Sequence, residues 1–503
     1  MSAELRQSYD EFPYLSFPFP QSHPDRLATI GSLFGMTPAR VESCRVLEVG
    51  CASGGNLLPM AASLPGSEFI GVDFSPVQIE RGLADVEALG LTNIRLLAMD
   101  IMDFDEVHGH FDYIIAHGVY SWVPNPVQER LFAICARQLR PAGIAYVSYN
   151  TLPGWRTRGV VRDAMTYHTR GITEPAKRVA QARAVLEFLA ESVKDDASAY
   201  GNALRTEAEH LRKQADYYIL HDHLEEVNEP LYFHEFMERA AKHGLAYLGE
   251  ANFATMLGTG FSPKVTETLA RVAPDVLKRE QFIDFLRART FRETLLVHDT
   301  VTLTRKVPPE RVMALRISSK AKPVRERPDL HSNAIEEFRT PDGSTMTTPS
   351  RLTKAALVLL AECWPVAVPF DDLEAAARKR AGLPDAPNDE QRMRLAYEIL
   401  QCYAGGVLEL HYAASPFAAS AGERPEGSAL ARLQAQRGSP ATTLRHEHGT
   451  FHGDTLKLFL LLDGTRTRAE IAATMWPDKP VSKMLPELDA ALTHLARLGL
   501  LTR

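Results

Sequence analysis

The sequence contains no CxxC pair and no apolar run long enough to cross a bilayer. It also lacks a basic excess, and each of these gaps removes a class of function. Its five cysteines, Cys44, Cys51, Cys135, Cys363 and Cys402, are scattered and odd in number, which leaves neither a disulfide framework nor the spacing of a zinc site. The start, MSAELRQSYDEF, has no basic segment leading into an apolar stretch, so a cytoplasmic protein with reduced thiols is expected. Lys and Arg number 56 against 63 Asp and Glu, and a formal net charge of -7 argues against a surface that coats nucleic acid or anionic lipid. What remains is ordinary for a globular protein: 45% hydrophobic and 24% charged residues. A chain of 503 residues exceeds one compact core and predicts about three domains.

From Cys44 to Tyr149, short apolar runs alternate with helix-like stretches: RVLEVG, EFIGVDF, IRLLAMD, FDYIIAH and IAYVSYN. This is the rhythm of a parallel, doubly wound sheet, and it predicts an α/β, Rossmann-like domain. Residues 126–139 supply the helix before the fifth strand, and the Pro141-Ala142-Gly143 turn is expected to reverse the chain there. Between Arg158 and Leu231 the composition turns to Ala, Arg and Glu with few β-branched residues, which predicts an all-helical insertion. FHEFMERAAKHGLAYLGEANF then reads as helix and strand, and FRETLLVHDTVTLT as a further extended segment closing the same sheet. The catalytic domain is therefore expected to be discontinuous, 1–165 and 232–305, around an insertion at 166–231 that serves as a dimerisation or acceptor platform. Residues 306–345, rich in Pro, Arg and Lys, are expected to be a linker. From 346 to 503 the order helix, helix, helix, strand occurs twice, on either side of a Pro/Ala/Ser/Gly-rich stretch from Ala413 to Gly427. That order suggests a mainly helical region of winged-helix type, either two such units or a generic helical domain.

The chemistry concentrates in VLEVGCASGGN. Gly50, Gly54 and Gly55 follow a predicted strand directly, where missing side chains let the backbone bend and approach a ligand. Ala52 stands where a dinucleotide fingerprint has its second glycine. Asp73 ends the next strand, 23 residues after Gly50, the place from which a carboxylate accepts both ribose hydroxyls of a nucleoside. Asp100 ends the third strand, where it can accept an adenine amino group while Ile101 packs on the ring. Helix capping or a solvated turn is the alternative role for each acid. Glu48, just before the loop, repels phosphates and favours a cationic, methionine-type ligand over NAD.

GCASGGN, VDFSPVQI, HGVYSWVP and SYNTLPGW resemble class I S-adenosylmethionine-dependent methyltransferases. More narrowly they resemble the rickettsial-type protein lysine methyltransferases that carry a methyltransferase regulatory domain. The resemblance takes in YDEFPYLSFPFPQSHPDRL and REQFIDFLRARTFRETLL, about the first 300 residues, and is looser beyond Lys306. Ala52 departs from the general class but agrees with the subfamily's CASGGN. By resemblance the donor contacts are Gly50, Cys51, Ala52, Asn56, Asp73, Phe74, Gln78, Asp100 and Ile101, and Tyr9, Glu48 and His117 are expected to join them.

The fourth strand ends in HGVYSWVP, at the edge that faces the sulfonium and the incoming nucleophile. Methyl transfer to an amine is an in-line displacement that needs alignment and a neutral amine rather than a triad. His117 is the candidate for relaying a proton, with Tyr120 and Tyr14 in the catalytic set. Trp122, Asn150 and Trp155 are expected around the acceptor, with packing as the alternative role of the two tryptophans and of His117. Tyr9, Phe12, Tyr14, Phe17 and Phe19, set among prolines, suit either a lid or a cover for a sheet edge. His221 and His223, two apart, cannot share a helix face, and no metal site is expected. The expected activity is N-methylation of protein lysine, with a small-molecule methyltransferase as the alternative and a donor-sensing winged-helix DNA regulator as a third reading. The expected partners are a protein substrate and a second copy of the chain, with neither membrane nor nucleic acid.

Overall fold

The computed structural model describes residues 16–258, 260–386 and 388–502. Seven strands form the central sheet: β1 (Arg45–Val49), β2 (Glu68–Asp73), β3 (Ile94–Ala98), β4 (Phe111–Ala116), β5 (Leu139–Asn150), β6 (Leu245–Glu250) and β7 (Phe291–His298). They lie in the order β3-β2-β1-β4-β5-β7-β6. The first five are parallel, while β7 runs antiparallel between β5 and β6. β4 is buried along its whole length, which a strand covered by helices on both faces requires. Because the strand order reverses between β1 and β4, a crevice opens beyond their carboxyl ends.

Local sequence explains the elements around that crevice. Helix Pro76–Leu89 starts where Ser75 accepts a hydrogen bond from the Gln78 amide and Pro76 needs no donor, and it stops at Gly90, whose φ is 62°. The turn expected at Pro141 to Gly143 instead lies inside β5. The register there jumps from Phe111 opposite Leu139 to Tyr113 opposite Ile144, because proline has no N–H to continue the ladder. The antiparallel pair is locked from below by Arg292 of β7, fully buried under the Phe233 ring. Its guanidinium bonds to Glu250 of β6 and to Asp284 and Glu280 of helix Val276–Arg287.

Helices Trp155–His168, Pro175–Ser192 and Ala199–Arg212 pack around Val161, Met165, Leu186, Leu204 and Leu211. Since Val161 and Met165 belong to that core, helical structure packed with this unit begins before residue 166. The unit ends in a π turn, Ile219–His223.

The segment 306–345 is not a linker. Arg316–Ser318 is the middle strand of a three-stranded sheet, between Val368–Pro369 and Glu409–His411, and Ile317, Ala321 and Phe338 are fully buried. Its Pro and basic residues conceal short strands whose apolar side chains alternate inward. With helices Arg351–Cys363, Phe370–Arg380 and Asp389–Ala404 it makes the first C-terminal unit. Helices Gly453–Leu461, Arg468–Met475 and Val481–Arg497 form the second around its own core. The expected final strand is reduced to one bridge, Gly427 to Leu501. The first unit docks on helix Pro24–Leu33, where Asp25 accepts from the Tyr412 and Ala413 amides and pairs with His411 at 2.9 Å.

Candidate functional site

A cavity of about 400 Å³ opens at the carboxyl ends of β1, β2 and β4, a size suited to a small organic ligand. One half is built by two short segments. Gly50 has φ 72°, and a side chain there would sit 2.4 Å from Val119. Ala52 holds φ 48°, a left-handed conformation rarely adopted by residues with a Cβ, and its amide donates to Asp73 Oδ2 at 2.8 Å. The other carboxylate oxygen of Asp73 accepts from the Ser75 amide, so this one acid ties the end of β2 to the loop after β1. Glu48 is buried. Its Oε1 accepts from Asn56 Nδ2 at 2.8 Å, while Oε2 has no hydrogen-bond partner among the described residues. Burial pushes its carboxyl up to about 8, against the pull of Asn56.

Two distant segments close on this half. The Gly55 amide donates to Ser16 Oγ at 2.7 Å, and the Phe19 amide donates to Asn56 Oδ1 at 2.9 Å. Phe19 stacks on His117 at 3.7 Å between ring centroids, and Phe17 stacks on His448 at 4.8 Å. From the second C-terminal unit, His446 places Nε2 2.7 Å from the same Asn56 oxygen. Burial holds that imidazole well below its ordinary pKa, so it is neutral. Facing an amide oxygen, its Nε2 carries the proton and donates.

The other half collects Trp122, Asn150, Trp155, Arg158, Tyr218, His221, Asp222 and Phe291. Trp122 and Trp155 meet edge to face at 6.3 Å. Asn150 is held by its amide, which donates to Ser121 Oγ, and by its side chain, which donates to Asn228. His117 sits where the two halves meet. Burial pushes its imidazole down to about 3, so the ring is uncharged and a weak base at neutral pH. Tyr146 O–H donates to Glu293, which leaves its oxygen to accept from His117 Nδ1–H at 2.8 Å.

Of the residues singled out in the sequence, Glu48, Gly50, Cys51, Ala52, Asn56, Asp73, Phe74, Gln78, Ile101, His117, Trp122, Asn150 and Trp155 all line this one cavity. Asp100 does not: its carboxylate accepts from the Met102 amide and caps a short turn, while Met99 and Ile101 on either side face the cavity. Tyr120 is corrected outright. Its ring is fully buried among Phe132, Tyr149 and Phe236, because its turn points it under the sheet rather than over the edge. Tyr9, Phe12 and Tyr14 lie outside the described residues. Missed in the sequence were Ser16, Arg158, Tyr218, Asp222, Phe291 and the His446 contact, none of which carries a local motif. No group of three or more His, Cys, Asp or Glu able to hold a metal occurs among the described residues. No described helix is long and apolar enough to cross a membrane.

Three family models match the chain. They are a methyltransferase domain at residues 46–143, a predicted methyltransferase regulatory domain at 215–298, and the PKMT C-terminal winged helix domain at 423–497. An uncharacterized protein of Rickettsia prowazekii is 43% identical over 361 residues, covering 70% of this chain and 65% of that protein. This chain thus spans slightly less than two thirds of that relative's length. A second uncharacterized protein of the same organism is 42% identical over 47% of this chain and 94% of its own length. The structure of PKMT2 from Rickettsia typhi in complex with AdoHcy is similar over 98% of this chain and 100% of that one, at 30% identity and a TM-score of 0.87.

Proposed function

The chain belongs to the family of S-adenosylmethionine-dependent methyltransferases that includes PKMT2 of Rickettsia typhi, and we propose that it methylates lysine ε-amines of a protein substrate. The observation that carries this is the likeness to PKMT2 along nearly the whole chain, the C-terminal winged helix included, rather than over the donor domain alone.

The cavity suits the donor on its own chemistry. A buried carboxyl with an unpartnered oxygen, on Glu48, ionises at least cost beside a cation, and a methionine-derived ligand brings one where a dinucleotide brings phosphates. Asp73 would take the ribose hydroxyls. Gly50, Cys51 and Ala52, which line the cavity with their backbone bent sharply, would approach the donor, and Phe74, Gln78 and Ile101 would line the base. When bound, the donor supplies a methyl carbon on a sulfonium, open to in-line attack. His117, uncharged and stacked on Phe19, would help to keep water from the reacting centre without competing as a cation. The helical insertion exposes Tyr167, Phe188 and Tyr200, which supports its use as a dimer surface or acceptor platform. We place the protein in the cytoplasm.

The test is incubation of the full chain with methyl-labelled donor and cell lysate, followed by acid hydrolysis. Label is expected in methyllysines. Label confined to nucleic acid or small molecules would overturn the lysine acceptor.

A further inference from the structure

The part of the cavity lining contributed by the helical insertion carries a carboxylate that the donor reading above does not use. After helix Ala199–Arg212 the chain passes through the π turn Ile219–His223, a wide turn that places both His221 and Asp222 on the cavity lining. Such turns concentrate at functional sites. His221 is engaged with Glu225 at 3.3 Å. Asp222 differs: its Oδ2 is buried and has no hydrogen-bond partner among the described residues. Arg158, which lines the same cavity, pairs with Glu207 at 3.5 Å. Buried carboxylate oxygens are rarely left without a donor, and a carboxylate of the cavity lining with one oxygen so left is a place for a ligand's N–H. Trp122 and Trp155 line the same cavity, and aromatic faces attract an ammonium.

We propose that the Asp222 carboxylate is the acceptor-amine site, binding the ε-ammonium of the incoming lysine beside Trp122 and Trp155 and taking the proton the amine loses before attack. This rests on the lysine reading above. The N–H proton passes to Asp222 and frees the nitrogen lone pair, which forms the new N–C bond to the methyl carbon as the C–S bond breaks with its electrons going to sulfur. The product leaves as a methylammonium, and Asp222 gives its proton to water. The carboxyl is suited to both tasks. Burial pushes it up to about 7, with His221 and Arg158 pulling it down and Glu225 pushing it up. The hydroxyls of Tyr217 and Tyr218 also feel its charge, and His223, next to it in the turn, is held neutral by burial. At neutral pH the group is therefore charged often enough to hold a cation and basic enough to accept its proton.

The experiment compares the wild-type full chain with Asp222→Asn and Asp222→Glu. S-adenosylhomocysteine affinity, measured by calorimetry, is expected to agree within about twofold, since Asp222 belongs to the π turn and not to the donor loop. Binding of n-butylamine, a surrogate for the lysine side chain, is read from tryptophan fluorescence with S-adenosylhomocysteine present. Asp222→Asn is expected to weaken it at least about tenfold, the loss of one charged hydrogen bond, and Asp222→Glu to restore part of it. With the donor saturating at every pH, lysine labelling by the wild type is expected to rise with pH through about 7 as Asp222 ionises. In Asp222→Asn it is expected to lose that limb and fall about 100-fold, the lower end for general-base loss. An Asp222→Asn protein that binds n-butylamine like the wild type and keeps its pH profile overturns the proposal. A wild type that labels no protein lysine, yet binds n-butylamine in an Asp222-dependent way, overturns the lysine reading and leaves the amine site standing.

Discussion

The donor half of the cavity comes mainly from two segments, Glu48 to Asn56 and Asp73 to Gln78, at the ends of adjacent parallel strands. The opposite half gathers Trp122, Asn150, Trp155, Asp222 and Phe291 from separate places along the chain. The first is positioned by backbone geometry the sequence encodes locally: a glycine at φ 72°, an alanine at φ 48°, and an aspartate that bonds across to the alanine. The second exists only once the helical unit and the antiparallel β7 have packed against the sheet. A binding motif can therefore be inherited as a unit, whereas acceptor chemistry is set by what is inserted around it.

The sharpest way to break this contrast is Asp73→Ala. It removes the bond to the Ala52 amide, the bond to the Ser75 amide and the proposed ribose contact together. Two hydrogen bonds to a charged group are worth about 3 kcal/mol, so S-adenosylhomocysteine affinity is expected to fall about 100-fold or more by calorimetry. n-Butylamine binding should move far less. An equal loss of both would mean the halves are one cooperative unit.

Glu48 offers a graded version of the same test. Its carboxyl, raised to about 8 by burial, is mostly protonated at pH 6, and a cationic ligand prefers it ionised. Donor affinity is therefore expected to increase with pH, about tenfold per unit below 8, and to level off above it. Binding at pH 7 should release a proton, seen as a dependence of calorimetric heat on buffer ionisation. Glu48→Gln should flatten the profile, and a slope that survives the substitution would place the titrating group elsewhere.

Much of the donor half was legible because loop residues, strand ends and capping signals are short-range patterns. Gly50, Ala52 and Asp73 sit within two turns of the βαβ unit, and the cavity contains them all. Tyr120 was misplaced for the converse reason. HGVYSWVP shows that an aromatic turn follows β4, but whether a ring turns over the sheet edge or under it depends on Phe132 and Phe236, which come from elsewhere. Asp222 carried no signal beside two histidines at the wrong spacing, since its meaning comes from a wide turn that periodicity cannot show. The same holds for 306–345, where strands of two to four residues hid in a basic, proline-rich composition.

His446 tests whether the C-terminal region belongs to the donor half. It lies 390 residues from Asn56 and donates to the oxygen that also accepts from the Phe19 amide. His446→Ala deletes one of these donors and keeps the other. The expected loss is about 1 kcal/mol, or about fivefold in S-adenosylhomocysteine affinity. Unchanged affinity would make the contact a packing detail of the second C-terminal unit.

The smallest effect is expected at Ala52. Replacing it by glycine relieves a left-handed conformation that costs a non-glycine residue about 1 kcal/mol. The same change loosens the unfolded chain by about 0.5–1 kcal/mol, which opposes the gain. Thermal stability of Ala52→Gly should therefore shift by no more than about 0.5 kcal/mol, and donor affinity by less than about threefold, because the amide that bonds Asp73 is kept. Ala52→Val, with a branched Cβ in the same conformation, should destabilise clearly. If glycine instead weakens donor binding about tenfold, the alanine methyl touches the ligand, and the donor half is shaped by side chains as much as by backbone.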